Sequence, residues 1–140
     1  MSITDSKLAF LTVDYEDYRR QELRDHYRKD EPAHPKEVER QTDILLNLFE
    51  RLGLQATFFI VGRLTKELST SIWQDIVSKH DLGCHGYEHL RVSELGPKGF
   101  KEDLRKAKGA LEDVAGVEVR SFRAPYFSCD GTEGWYGQIL

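Results

Sequence analysis

Cysteine is scarce in this sequence, long apolar runs are missing and no block of like charge occurs; each absence excludes a class of protein. The two cysteines, Cys84 and Cys129, lie far apart and outside any C-x-x-C spacing. A disulfide framework or a thiolate zinc site is therefore not expected, and both read as reduced thiols. No apolar run approaches the roughly 20 residues that a membrane-spanning helix needs. Residues 1–7 lack the basic start and apolar stretch of a secretory signal, which points to a cytoplasmic chain. With 20 Lys plus Arg against 24 Asp plus Glu, the net charge is −4. A mildly acidic chain without a basic stretch has no footprint for the phosphate backbone, so nucleic acid is not an expected partner.

What is present is enough for a core. The chain has 140 residues, of which 39% are hydrophobic and 11% aromatic, and a domain of this size buries roughly 68–70% of the surface its unfolded form exposes. A single domain over residues 1–140 is expected. Residues 8–13, Leu-Ala-Phe-Leu-Thr-Val, read as a strand buried on both faces. The polar segment 18–35, with five basic and four acidic residues, reads as an exposed loop. Val38, Thr42, Leu45, Phe49 and Leu52 recur at helical spacing before Gly53, a natural left-handed stop. Residues 56–61 form a second apolar, β-branched and aromatic strand. Leu68, Ile72, Trp73, Ile76 and Val77 mark a second helix, and residues 81–85 a short third strand. A third helix is expected from Pro97, with Phe100, Leu104, Ala107, Leu111 and Val114 as its stripe and Gly116 as its stop. A fourth strand is expected over 119–123, and 132–140 could begin a fourth helix.

This alternation argues for an α/β fold with a parallel sheet, either open and doubly wound or part of a (β/α) barrel. The residues able to do chemistry fall at the carboxyl ends of the strands, where such folds place their sites. Asp14, Glu16 and Asp17 follow the first strand, His85 and His89 the third, and Arg123 ends the fourth. Two imidazoles four residues apart share a face of a helical turn and suit capture of one metal ion. Glu16 or Asp17 is then the anionic third ligand, leaving zinc the open fourth position of a catalytic site. Asp14 and Glu16 share a strand face by alternation, and the remaining carboxylate could act as base on a metal-held water. Arg123, before the rigid Ala124-Pro125 turn, could pair with Asp14. Cys84, Trp73 and Trp135 read as packing residues, and His26, His34 and His80 as solvated.

Taken in order, Thr12-Val13-Asp14-Tyr15-Glu16-Asp17, His85-Gly86-Tyr87-Glu88-His89 and Arg123-Ala124-Pro125-Tyr126 resemble the motifs of the polysaccharide deacetylase family. This is carbohydrate esterase family 4, the NodB-homology domain. Residues 56–62 are similar to that family's second strand. The resemblance implies a distorted (β/α) barrel and metal-dependent hydrolysis of N-acetyl groups on amino sugars of a polysaccharide or glycan precursor, by attack of metal-bound water. It matches Asp14 to the general base and His85 and His89 to the metal-binding histidines. Arg123 matches the arginine that orients the base, and the Tyr126 backbone N–H matches the oxyanion donor. The first motif reads Asp-Tyr-Glu-Asp rather than two adjacent aspartates, closer to the subgroup resembling peptidoglycan deacetylases and allantoinase-like hydrolases. That favours Glu16 as third ligand, with zinc the expected metal.

The family's later motifs, including the histidine that serves as general acid, have no match, and no histidine follows His89. Alternative expectations are therefore a cyclic amide or ureide hydrolase, and a non-catalytic metal- or glycan-binding fragment. Four β/α units make about half of a closed barrel. The length is thus expected to represent a truncated barrel, or one whose strands are completed by another chain.

Overall fold

The computed structural model describes residues 9–18, 26, 34–129, 131 and 134–140. Leu8, most of the 18–35 segment and Thr132 lie outside the described residues. Within them the order is β1 (Thr12–Tyr15), α1 (Pro35–Leu52), β2 (Thr57–Ile60), a 3-10 turn (Gly62–Lys66), α2 (Thr70–Val77), β3 (Asp81–Cys84), α3 (Val92–Ala115), a second 3-10 turn (Pro125–Phe127) and the short α4 (Tyr136–Ile139). The strands form a parallel sheet in the order β1-β2-β3, with Thr12 opposite Thr57 and Thr57 opposite Asp81. Helices α1 and α2 supply the crossovers that parallel pairing requires.

The core forms where the helical stripes meet β2. Phe58, Ile60, Trp73, Ile76 and Leu111 are fully buried, and burying such a side chain contributes about 1.5–3 kcal/mol. Tyr15 turns inward against the edges of Phe58 and Trp73. Its hydroxyl lies 2.7 Å from Thr42 Oγ1, and the Thr42 hydroxyl donates to the Val38 carbonyl. Thr42 has one proton to give, so Tyr15 O–H is the donor between them. Burial pushes the Tyr15 phenol up to about 12. Because strand side chains alternate, an inward Tyr15 sends its neighbours Asp14 and Glu16 the other way.

Helix stops fall where expected, at left-handed Gly53 and Gly116. The third helix carries an extra turn before Pro97, set off by a kink at Gly96. Two strand expectations need correction. Strand β1 starts at Thr12, not Leu8, and Phe10 is 89% exposed; β1 has one strand partner among the described residues, so within them its other edge is unpaired. Segment 119–123 is not a strand but makes a single parallel bridge, Cys84 to Phe122. Side chains of α3 intercept its backbone: the Val119 N–H donates to Glu112 and its carbonyl accepts from Lys108 Nζ. Those groups are then lost to a sheet ladder.

Candidate functional site

The carboxyl ends of β1 and β3 open on a cleft of about 310 Å³. Its lining includes Asp14, Glu16, His85, His89, Arg123 and Tyr126, so of the residues singled out in the sequence for the site all but Asp17 meet there. Exposed His26 and the exposed aromatics Tyr18 (69%) and Phe127 (88%) also line it. Non-glycine residues with positive φ are three among the described residues, His89, Tyr126 and Phe127, and all three lie in this cleft. Such conformations cost about 1–3 kcal/mol each and persist where the surroundings enforce them, commonly at functional sites.

The two histidines come together by a different route from the one expected. Residues 85–91 are a loop, not a helical turn, and the imidazoles converge because Gly86 (φ 74°) and His89 (φ 56°) reverse the backbone. Their Nε2 atoms lie 3.2 Å apart, and His89 Nε2 lies 3.0 Å from Glu16 Oε2. Glu16 Oε2 is buried. His85 Nδ1 lies 2.8 Å from the Arg123 carbonyl; a carbonyl can only accept, so Nδ1 carries the proton and the Nε2 lone pair faces the cleft. Burial pushes the His85 imidazole below its ordinary value, an effect that outweighs the hydrogen bond to Arg123. This favours the neutral, metal-ligating form. One ligand atom from each of Glu16, His85 and His89 falls within 4.8 Å of the others. Ligand atoms around a tetrahedral ion with bonds of about 2.0–2.1 Å are separated by about 3.3 Å, close to the 3.2 and 3.0 Å that His89 Nε2 keeps from His85 Nε2 and Glu16 Oε2.

Asp17, the other candidate ligand, is committed elsewhere. It is buried, and its carboxylate accepts the His34 N–H at 3.0 Å at the start of α1. Asp14 pairs with Arg123 Nη1 at 2.5 Å, while Nη2 of the same guanidinium donates to Thr12 Oγ1 at 2.9 Å. The guanidinium also lies over the Phe59 ring, 4.2 Å from its centroid. Phe59 occupies that position because residue 83 is glycine: a Cβ there would sit 2.5 Å from the ring. The Tyr126 ring packs 4.7 Å from His89, with the Arg91 guanidinium 4.3 Å from it.

Thr12, Phe59 and Gly83 were not anticipated as supports of the site. Thr12 shares the strand face of Asp14, a signal that alternation could have supplied. The interplay of Phe59 and Gly83 across two strands leaves no local signal. Two of the three histidines read as solvated are not. His34 is half-buried beside Asp17. His80 is 7% exposed, wedged between Phe49 and Phe58, because it lies under the turn joining α2 to β3. Cys84 is buried, as expected, with its thiol pushed up to about 12 by burial; Cys84 and Cys129 are both thiols. Trp73 and Trp135 pack as anticipated. No helix among the described residues is long and apolar enough to cross a membrane.

Comparison with known proteins bears on the family and the fold. Over 92 residues the chain is 30% identical to the bifunctional xylanase/deacetylase of Pseudobutyrivibrio xylanivorans, covering 65% of this chain and 15% of that protein. Over 86 residues it is 33% identical to the chitooligosaccharide deacetylase of Azorhizobium caulinodans, covering 61% and 38% respectively. The chain thus spans well under half the length of these relatives. Among solved structures, a carbohydrate esterase family 4 pseudoenzyme from Bacillus anthracis superposes with a TM-score of 0.67 at 22% identity, covering 89% of this chain and 37% of that one. The fold is therefore that of part of the NodB-type barrel. The profile of the polysaccharide deacetylase family matches residues 3–134, and the chain belongs to that family.

Proposed function

We propose that this chain carries the metal centre of a hydrolase that removes N-acetyl groups from amino sugars of a polysaccharide or glycan precursor. The observation that carries the reading is the convergence of Glu16, His85 and His89 beside the Asp14–Arg123 pair. Those three residues would hold a divalent ion, zinc by the chemistry of the donor set, and a bound ion would polarise the acetamide carbonyl and acidify water beside it. Asp14 accepts the proton of the attacking water, and Arg123 fixes the orientation of its carboxylate. The Tyr126 N–H donates to the oxygen on which charge develops. The new C–O bond replaces the C–N bond, and the amine leaves with a proton. Among the described lining residues outside the three-ligand set, Asp14, Tyr18, His26 and Tyr126 carry side-chain groups able to deliver it.

Metal analysis after mild dialysis tests the centre; a chain that takes up no zinc at micromolar concentration overturns it. Asp14→Asn is expected to retain zinc and lose acetate release from chito-oligosaccharides, by about 1000-fold, whereas Glu16→Gln loses the metal. The opposite pattern would mean that the two roles are exchanged. Ring opening of allantoin or hydantoin in place of acetate release would select a cyclic-ureide substrate. Sugar and zinc binding without turnover would select a non-catalytic metal- and glycan-binding unit instead.

A further inference from the structure

The loop that joins His85 to His89 is held on two sides. On one side it continues the strand pairing: His85 N–H donates to the Ile60 carbonyl, and the carbonyls of Gly86 and Tyr87 accept from the N–H groups of Gly62 and Arg63 at 2.8 and 3.1 Å. The other side turns backbone N–H groups toward α3, where Asp103 meets them. Its Oδ2 accepts the Tyr87 N–H at 2.9 Å, and the carboxylate also accepts the Glu88 N–H. A Cβ on Gly86 would sit 3.2 Å from that same oxygen, so at this point the carboxylate abuts bare backbone. One turn further along α3, the Lys106 ammonium lies 3.7 Å from the centroid of the Tyr87 ring. Asp103 falls on the inward stripe of α3, three residues after fully buried Phe100 and four before fully buried Ala107. An acid on an apolar stripe costs desolvation unless its oxygens are used, and here burial does raise the Asp103 carboxyl above the usual carboxylate range.

We propose that Asp103 is a positioning residue for the imidazole pair, locking the N–H face of the loop so that both Nε2 atoms point at one place. Asp103 is not one of the three proposed ligands; it acts through the backbone of residues 86–88. The proposal deepens the metal-centre reading and rests on it. Partners that orient metal ligands in this way commonly change affinity by about 10–100-fold when removed.

The test compares the wild-type chain with Asp103→Ala, Asp103→Asn and Leu111→Ala, the last a destabilising control on the same helix but away from the loop. Zinc affinity is measured by competition with a chromophoric chelator, and cobalt(II) loaded in its place reports ligand geometry through its visible absorption. Asp103→Ala is expected to weaken zinc by about 10–100-fold and alter the cobalt spectrum. Asp103→Asn, which keeps an acceptor oxygen, should recover most of both, and Leu111→Ala should lower thermal stability without moving either. Zinc affinity and cobalt spectrum unchanged in folded Asp103→Ala would overturn the proposal. If the wild-type chain binds no zinc, the metal reading itself fails. The positioning role is then decided on the metal-free chain: imidazole resonances of His85 and His89 that shift in Asp103→Ala support it, and resonances that coincide with wild type overturn it.

Discussion

Two buried histidines bracket β3, and they are built in opposite senses. His80 precedes the strand and His85 follows it. At the amino end, His80 Nδ1 accepts the Ala56 N–H at 3.3 Å and the ring packs on Phe49 and Phe58. At the carboxyl end, His85 Nδ1 donates to a carbonyl and aims Nε2 into the cleft. One imidazole completes a core; the other is held by the core with its lone pair outward. The same side chain thus fills the core at one end of a parallel strand and lines the cleft at the other, because strand carboxyl ends carry the loops that build sites.

The largest expected effect separates these two ends outright. His89→Ala or His85→Ala should lower zinc affinity by at least about 100-fold while leaving urea unfolding of the metal-free chain within about 1 kcal/mol. His80→Ala should do the reverse, costing about 2–3 kcal/mol with zinc affinity unchanged. Equal effects of the two kinds of variant would erase the distinction. A smaller effect sharpens the carboxyl end. Arg123→Ala removes the partner of Asp14 but keeps the backbone carbonyl that orients His85, so hydrolysis should fall by about 100-fold with zinc affinity kept. Zinc lost in parallel with hydrolysis would show that the guanidinium also shapes the ligand set.

The smallest effect is the pH dependence of stability. Burial, with help from neighbouring Lys79, holds the His80 imidazole below its ordinary value of 6.5, and burial does the same for His85. The unfolded chain therefore binds protons more readily than the folded one. Stability is fully present above about pH 6.5 and falls as pH drops through that value toward the folded-state values. Denaturant titrations of the metal-free chain at pH 7.5 and 5.5 should show the loss. It should shrink in His80→Leu, leaving the share that belongs to His85; a slope identical to wild type would remove His80 from the account.

Much of this architecture could be read locally. Gly53 and Gly116 end helices because they follow the last turn in a left-handed conformation, and Pro97 opens the main run of α3. The alternation of Asp14, Tyr15 and Glu16 foretold which way each side chain turns. The strand at 119–123 misled, since Val119 has the right composition but α3 occupies its backbone groups. His80 misled for a related reason. Its polar neighbours, Lys79 and Asp81, are exposed, while the aromatics that bury it arrive from α1 and β2. Asp17 resembled a ligand by position, yet its carboxylate is occupied by the His34 N–H.

The sequence by itself determined which residue types stand at which strand ends, the periodicity that makes each element, and the order of motifs that marks the family. These follow from local sterics and side-chain spacing, which short stretches of chain carry on their own. Only the tertiary structure decided that Glu16 rather than Asp17 faces the histidines, that a loop rather than a helical turn brings His85 and His89 together, that Phe59, with room made by Gly83, lies under Arg123, and that Asp103 meets the backbone N–H of Tyr87. Those outcomes depend on where α1, α3 and β2 come to rest, and hydrogen bonds between distant segments leave no period in the chain.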